Sequence, residues 1–441
     1  MKKKVVIIGA AGMDYHVFNT YFRGNDAYEV VAFTMAAEQN LGTTDSALRT
    51  YPPEIAGSLY PEGIPTFFES ELEQLIKEKN IDEAVFAYSD VSHEYVLSLA
   101  SKVLAAGADF KLISPKNTML KSNKPVIAVC AVRTGCGKSQ TSRWVGEQLK
   151  SHGLKVVMVR EPMPYGDLNK QKCVRYADIS DFKKYDATIE EMEEYEPHIE
   201  NGFVVYAGVD YAEILEQAEK EADVIVFDGG NNEIPFFVPD MHIVLVDPLR
   251  PGHGTKYHPG EVNLRMADLV LINKENSADA SGIQKVMDIA RKTNPDASVV
   301  HADSEIIVKG DIKRKKVLVI EDGPTTTHGG MGYGAGFVAA EKNECLIVDP
   351  APFLRGSLRK VFDEFPHLEK VVPAMGYSDE QLKDLEDTVN AADCDLVVSG
   401  TPIDVSRLIK TDKQIVRVAY DLKPKEGVME KILDDFCSKL N

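Results

Sequence analysis

The stretch Val126–Thr141 reads VIAVCAVRTGCGKSQT, and it decides the fold. Val126–Val132 is an unbroken apolar run of the kind that fills a strand covered on both faces. Arg133-Thr134-Gly135-Cys136-Gly137-Lys138-Ser139 then turns the chain into a helical pattern. The common phosphate loop is G-x-x-x-x-G-K-[ST]. Its first glycine falls at Val132, so the ordinary consensus is not met, whereas the rest is. Gly135 and Gly137 free the backbone to aim N–H groups at phosphate oxygens. Lys138 brings a fixed charge to the β- and γ-phosphates, and Ser139 offers a hydroxyl to Mg²⁺. Thr134, Cys136 and Gln140 complete the predicted nucleotide contacts. The helix that follows points its positive end at the same place. These residues predict a nucleoside triphosphate site that takes ATP with Mg²⁺.

Outward from this loop, apolar runs alternate with helical patterns, the signature of parallel sheets covered by helices. Val5–Ile8, Val30–Thr34, Glu83–Ala87 and Phe110–Ile113 predict a Rossmann-like domain over residues 1–120. Residues 114–125 read as a linker. The loop's own domain, residues 125–310, continues with strands at Lys155–Arg160, Asp223–Asp228, His242–Asp247 and Asp268–Asn273. Residues 311–441 form a further α/β unit or an extension of the same sheet, with strands at Val317–Ile320, Cys345–Val348 and Leu396–Ser399. The expected fold class is therefore α/β throughout. An acidic run, Thr188–Glu196, carries a capping box in Thr188 and Glu191 and predicts a solvated surface helix.

Several segments sit where a parallel sheet presents its ligand site, at and just after strand ends. Asp228, before Gly229-Gly230, is the expected Mg²⁺-organising acid beside Ser139. Asn273-Lys274-Glu275-Asn276 resembles the base-reading N-K-x-D of guanine-specific proteins. Asn276 replaces the aspartate that would accept from guanine, so adenine is favoured. Arg160 ends a strand; Arg250, His253 and Arg265 crowd a loop rich in Pro and Gly. Glu321–Gly336, with Thr326, Thr327, His328, Gly329 and Gly330, reads as a second phosphate-capable loop. Arg160, the Arg250–Arg265 cluster and this loop are the expected contacts of an anionic substrate. The N-terminal Gly9-Ala10-Ala11-Gly12 is only a partial dinucleotide fingerprint, with Glu38 the nearest candidate to hold a ribose.

The chain has 441 residues, 44% of them apolar, and a net charge of −19. That charge argues against nucleic acid as a partner. No apolar run reaches the ~18 residues a membrane helix needs. The six cysteines form no Cys-x-x-Cys pair, a usage that fits a reducing cytoplasm.

The departure at Val132 resembles the variant loop of dethiobiotin synthetase and the nitrogenase iron protein, where a lysine often stands at the place of Arg133. The resemblance implies that Arg133 touches the phosphates, in its own subunit or across a dimer. GAAGMDYHVF, AVRTGCGKSQTSR, VVMVREPMPYGDL, VFDGGNNE and EDGPTTTHGGMGYGAG together resemble the cyclic 2,3-diphosphoglycerate synthase family over essentially the whole chain. That resemblance implies ATP-driven closure of a phosphorylated acid into a cyclic anhydride with release of ADP and phosphate. It also implies a cytoplasmic homodimer. Lys138, Arg133, Asp228 and Arg160 would be the catalytic set. Three alternatives stay open: an ATP-dependent ligase or kinase acting on another phosphorylated metabolite, a GTPase-like switch or metallochaperone, and a dinucleotide-binding module carried on an ATPase.

Overall fold

The computed structural model describes residues 2–36, 49–161, 166–230, 233–327, 332–374 and 379–440; at 189, 190, 324, 325 and 379 only the backbone is described. Glu38, His328, Gly329 and Gly330 lie outside the described residues. The chain divides into two compact units. The first holds Met1–Asp181, Gly202–Asp303 and Pro424–Asn441; the second holds Phe182–Asn201 and Ser304–Lys423.

The first unit contains two sheets. In the N-terminal one the parallel strands run in the order Ile64–Phe68, Tyr28–Met35, Lys3–Ile8, Glu83–Phe86, Asp109–Leu112, with Thr50–Tyr51 antiparallel at one edge. Numbered along the chain the parallel strands lie 3-2-1-4-5, the doubly wound order, with its crevice at the end of Lys3–Ile8. The second sheet places Val126–Ala131 between Val224–Asp228 and Met241–Val246, both parallel to it. Val156–Arg160 and Val204–Ala207 extend it on one side, Leu269–Ile272 and the beginning of Ser298–Val308 on the other. Val126, Ile127 and Val129 have no exposed surface, and side chains of this size each contribute roughly 1.5–3 kcal/mol on full burial.

The linker is held to the second sheet: Leu120 N–H donates to Phe236 and Val238 N–H returns to Leu120, both at 2.8 Å. The C-terminal helix Val428–Ser438 packs on the helix Lys138–Ser151, with His152 Nε2 at 2.9 Å from Asp434.

The second unit is built on the parallel strands Gln414–Pro424, Leu396–Ser399 and Lys316–Asp322, the last also pairing with Leu346–Ile347 and Val372–Ala374. The helix Ile189–Glu200 belongs to this unit and corrects the expectation of a solvated face. Its capping box forms as expected. However, Glu191, Glu193 and Glu196 are buried. Thr401 Oγ1 donates to Glu193 at 2.9 Å, Arg407 pairs with Glu196 at 2.8 Å, and Arg417 reaches Glu200 at 3.0 Å. The buried acids find a hydroxyl and a cation within their own unit, which composition alone does not reveal. Among the described residues no helix is long and apolar enough to cross a membrane.

Candidate active site

The phosphate loop forms where the sequence places it. The helix Lys138–Ser151 begins directly after Gly137, whose φ of +104° is a left-handed conformation. A Cβ there would lie 2.3 Å from Asn273 Nδ2 and 2.4 Å from Gln140 Nε2, so the position admits only glycine. Lys138 is buried, and that burial, with the neighbouring charge of Arg160, pulls its pKa down.

Asn273, Lys274 and Arg250, expected to read the base or the substrate, donate to the loop itself. Asn273 Nδ2 donates to Cys136 O at 2.9 Å and Lys274 Nζ to Gly135 O at 2.5 Å. Arg250 donates to Thr134 O at 2.8 Å and pairs with Asp247 at 2.9 Å; Lys274 shares that carboxylate at 3.2 Å. Three donors thus take three successive carbonyls of the loop. Peptide oxygens bound behind the turn leave their N–H partners facing forward.

Arg160 and Asp228 end adjacent parallel strands in register and form a buried ion pair at 2.6 Å. Asp228 also lies level with Val129 on the strand that leads into the loop. A hydroxyl at Ser139 and a carboxylate at Asp228 are hard oxygen donors of the kind Mg²⁺ takes while keeping most of its waters. Among the described residues no set of three His, Cys, Asp or Glu side chains is placed to hold a metal by itself.

Sequence reasoning missed the carboxylates next to this pair. Glu161 follows Arg160, Glu233 lies beyond Asp228, and Asp14 starts the first helix of the N-terminal sheet; all three are buried. Glu233 Oε1 accepts from Met13 N–H at 2.9 Å, and Asp14 Oδ1 accepts from Ala11 and Tyr15 N–H at 2.7 Å each. Glycines make the close approach possible. A Cβ at Gly12 would lie 2.0 Å from Glu161 Oε1 and 2.6 Å from Glu233 Oε1, and one at Gly230 would lie 2.0 Å from Glu161 Oε2. Burial raises the Asp14 pKa to about 7, with Glu161 adding to it. Burial and the charge of Glu161 push Glu233 well above the carboxylate range. Glu161 follows Arg160 directly in the chain, so the acids adjoin the Arg160–Asp228 pair at the strand ends. Their sequence signal was available: each follows the C-terminal end of a parallel strand.

A family model described as cyclic 2,3-diphosphoglycerate synthetase, P-loop domain, matches residues 201–302. A protein of Thermococcus kodakarensis named arginine synthetase ArcE is 55% identical over all of this chain and 98% of its own length. The chain belongs to the cyclic 2,3-diphosphoglycerate synthetase family. A relative of that name from Thermococcus sibiricus is 22% identical over 55% of this chain and 59% of its own. Among solved structures, LpxK from Aquifex aeolicus in complex with ATP has a TM-score of 0.42 at 13% identity, covering 71% of this chain and 89% of that one.

The remaining expected site residues have the following partners. Arg133 is ion-paired with Asp90 at 2.9 Å and stacked on Tyr257. His253 lies in a short 3₁₀ turn with its ring 4.8 Å from that of Tyr257. Arg265 is exposed and pairs with Glu261 at 2.5 Å. Thr326 and Thr327 belong to the second unit, where their hydroxyls donate to Asp322 and Gly323 carbonyls at 2.7 and 2.8 Å.

Proposed function

We propose that this protein is an ATP-dependent ligase that builds the guanidinium group of arginine. The observation that carries this reading is the buried trio Asp14, Glu161 and Glu233, gathered by Gly12 and Gly230 next to the Arg160–Asp228 pair. A bisphosphorylated acid brings several negative charges, and three buried acids supply no positive charge to offset them. A guanidinium offers a planar fork of donors that matches carboxylates. The 55% relative named arginine synthetase spans the whole chain and supports the same choice. Cyclic 2,3-diphosphoglycerate remains the second reading, favoured by the family model and by relatives at 22% and 24% identity over about half the chain.

The chemistry has two steps. The ureido oxygen of the amino acid one nitrogen short of arginine attacks the γ-phosphorus, and ADP leaves. The nitrogen of ammonia then adds to the activated carbon, phosphate leaves with the former ureido oxygen, and the guanidinium retains the added nitrogen. The loop N–H groups and Lys138 hold the triphosphate and its developing charge. Ser139 and Asp228 would hold Mg²⁺, which neutralises phosphate charge when bound. Arg160 keeps Asp228 in place at the strand ends. Asp14, Glu161 and Glu233 take the forming cation and the protons it sheds. Positioning and charge matching supply the catalysis, without a covalent protein nucleophile.

The test supplies ATP and Mg²⁺ with either the ureido amino acid plus ammonium or 2,3-diphosphoglycerate. Amino-acid analysis follows arginine and phosphorus NMR follows the cyclic product. Arginine with stoichiometric ADP and phosphate is the expected outcome. Cyclic product without arginine overturns it.

A further inference from the structure

Asp90 stands where an anion belongs. It follows the strand Glu83–Phe86 in the N-terminal sheet and has a φ of +57°, a left-handed conformation that aspartate tolerates. The next residues are strapped to the other sheet. Val91–Ser92 pairs antiparallel with Tyr257–His258, and His93 N–H donates to Lys256 O at 2.9 Å. This strap delivers the Asp90 carboxylate to the phosphate loop. Oδ1 lies 2.9 Å from Arg133 Nε, and the guanidinium stacks on Tyr257 with its carbon 3.8 Å from the ring centroid. The charge of Asp90 also acts on Lys138, Arg250 and His253. The carboxylate is thus ion-paired with the first residue of the phosphate loop, at the site that a triphosphate must occupy.

We propose that Asp90 is a resident stand-in for a nucleotide phosphate: it holds Arg133 while the site is empty and gives it up when ATP arrives. The proposal rests on the reading of Arg133–Ser139 as a triphosphate site. The physical reason is competition. A γ-phosphate and a carboxylate cannot both approach one guanidinium in a half-buried site without strong mutual repulsion. ATP must therefore break the Asp90–Arg133 pair before Arg133 reaches phosphate, and the affinity of the wild type is reduced by that exchange. Arg133 becomes a residue whose phosphate contact is conditional, set by the N-terminal sheet.

Calorimetric titration with ATP and Mg²⁺ tests this. Asp90→Asn keeps the shape and removes the charge, and should tighten ATP binding about three- to tenfold. Asp90→Ser should do the same, which guards against an artefact of the amide; thermal melting checks that each variant is folded. Arg133→Gln should weaken binding more in the Asp90→Asn background than in the wild type, because only there is Arg133 free to reach phosphate. Tyr257→Leu removes the stack but not the charge and should not tighten binding. Unchanged or weaker ATP binding in both Asp90 variants overturns the proposal. So does a collapse of turnover at unchanged affinity, which would make Asp90 part of the chemistry. Lys138→Ala is the separate control: if it binds ATP normally, the triphosphate reading fails, whatever Asp90 does.

Discussion

Two glycine-rich loops in this chain share a plan, each following a parallel strand and opening into a helix, yet they have opposite interiors. In the first unit the strand ends in apolar Ala131, and the loop's carbonyls are bound from behind by Arg250, Lys274 and Asn273. In the second unit Glu321 lies near the strand end and fills the helix entrance itself. Its carboxylate accepts from Gly334, Gly336 and Phe337 N–H at 3.1, 3.3 and 2.7 Å. The same donors that would cradle a phosphate are taken by a side chain of the protein. Glycine content and strand–helix context therefore do not make a phosphate site; the residue that closes the strand decides whether the N–H groups are available.

The sharpest way to break this contrast is Lys138→Ala. If the first loop is the working one, nucleotide turnover should fall on the order of 10³-fold, as loss of a group that stabilises transition-state charge does. Steady-state phosphate release checks it; full activity would remove the distinction between the loops.

Next is Glu233→Gln. A cation held by Asp14, Glu161 and Glu233 should bind on the order of 100-fold more weakly, because one partner of a buried charge pair is lost. ATP affinity should not change. Arginine titration in the presence of ADP reads this, and an unmoved arginine curve would return a phosphorylated acid to first place.

A smaller effect concerns pH. Asp14 has a pKa near 7 in the free protein, raised by burial, and a bound cation favours its ionised form. Arginine binding should then release protons and strengthen as pH rises through about 7, and keep strengthening above it while Glu233 still has a proton to lose. Calorimetry in buffers of different ionisation enthalpy measures the proton; affinity independent of pH between 5.5 and 8, in round numbers, contradicts a cation at Asp14.

The smallest expected effect lies in the second loop. Burial lifts the Glu321 pKa to about 7, above its ordinary value, despite three N–H donors. A raised carboxylate pKa means the folded state holds the proton more tightly than the unfolded one. Its contribution to stability is therefore greatest below the unfolded pKa and is lost as pH rises through about 7. Glu321→Gln should flatten that part of the stability–pH curve and leave nucleotide binding intact. Thermal melts from pH 5 to 8, on an approximate grid, compare the slopes; loss of ATP binding would show that the second loop serves the nucleotide after all.

Much of the architecture was legible because it depends on local pattern. The apolar run Val126–Ala131, the turn at Gly137 and the helix from Lys138 each follow from neighbours within a few residues. Asp228 was legible by the same logic, as an acid closing a buried strand. Asn273 and Lys274 were found by motif, but the structure turns them onto the loop's carbonyls. Asp14 stands in the turn after the first strand, where only the glycines form a recognisable motif. Its chemistry depends on Glu161 and Glu233, far away in the chain.

Composition, strand–helix alternation and the phosphate-loop spacing are properties of short segments, so the sequence by itself determined an α/β chain with one triphosphate loop. Which side chains share a site was decided only by tertiary structure. Asp90 meets Arg133 because a two-residue strap joins one sheet to another. Glu161 meets Glu233 because Gly12 and Gly230 carry no side chain to keep them apart. Glu193 and Glu196 are buried because Thr401 and Arg407 come from a distant stretch of chain. Charge pairing and desolvation act through space over a few ångströms, and sequence separation carries no measure of that distance.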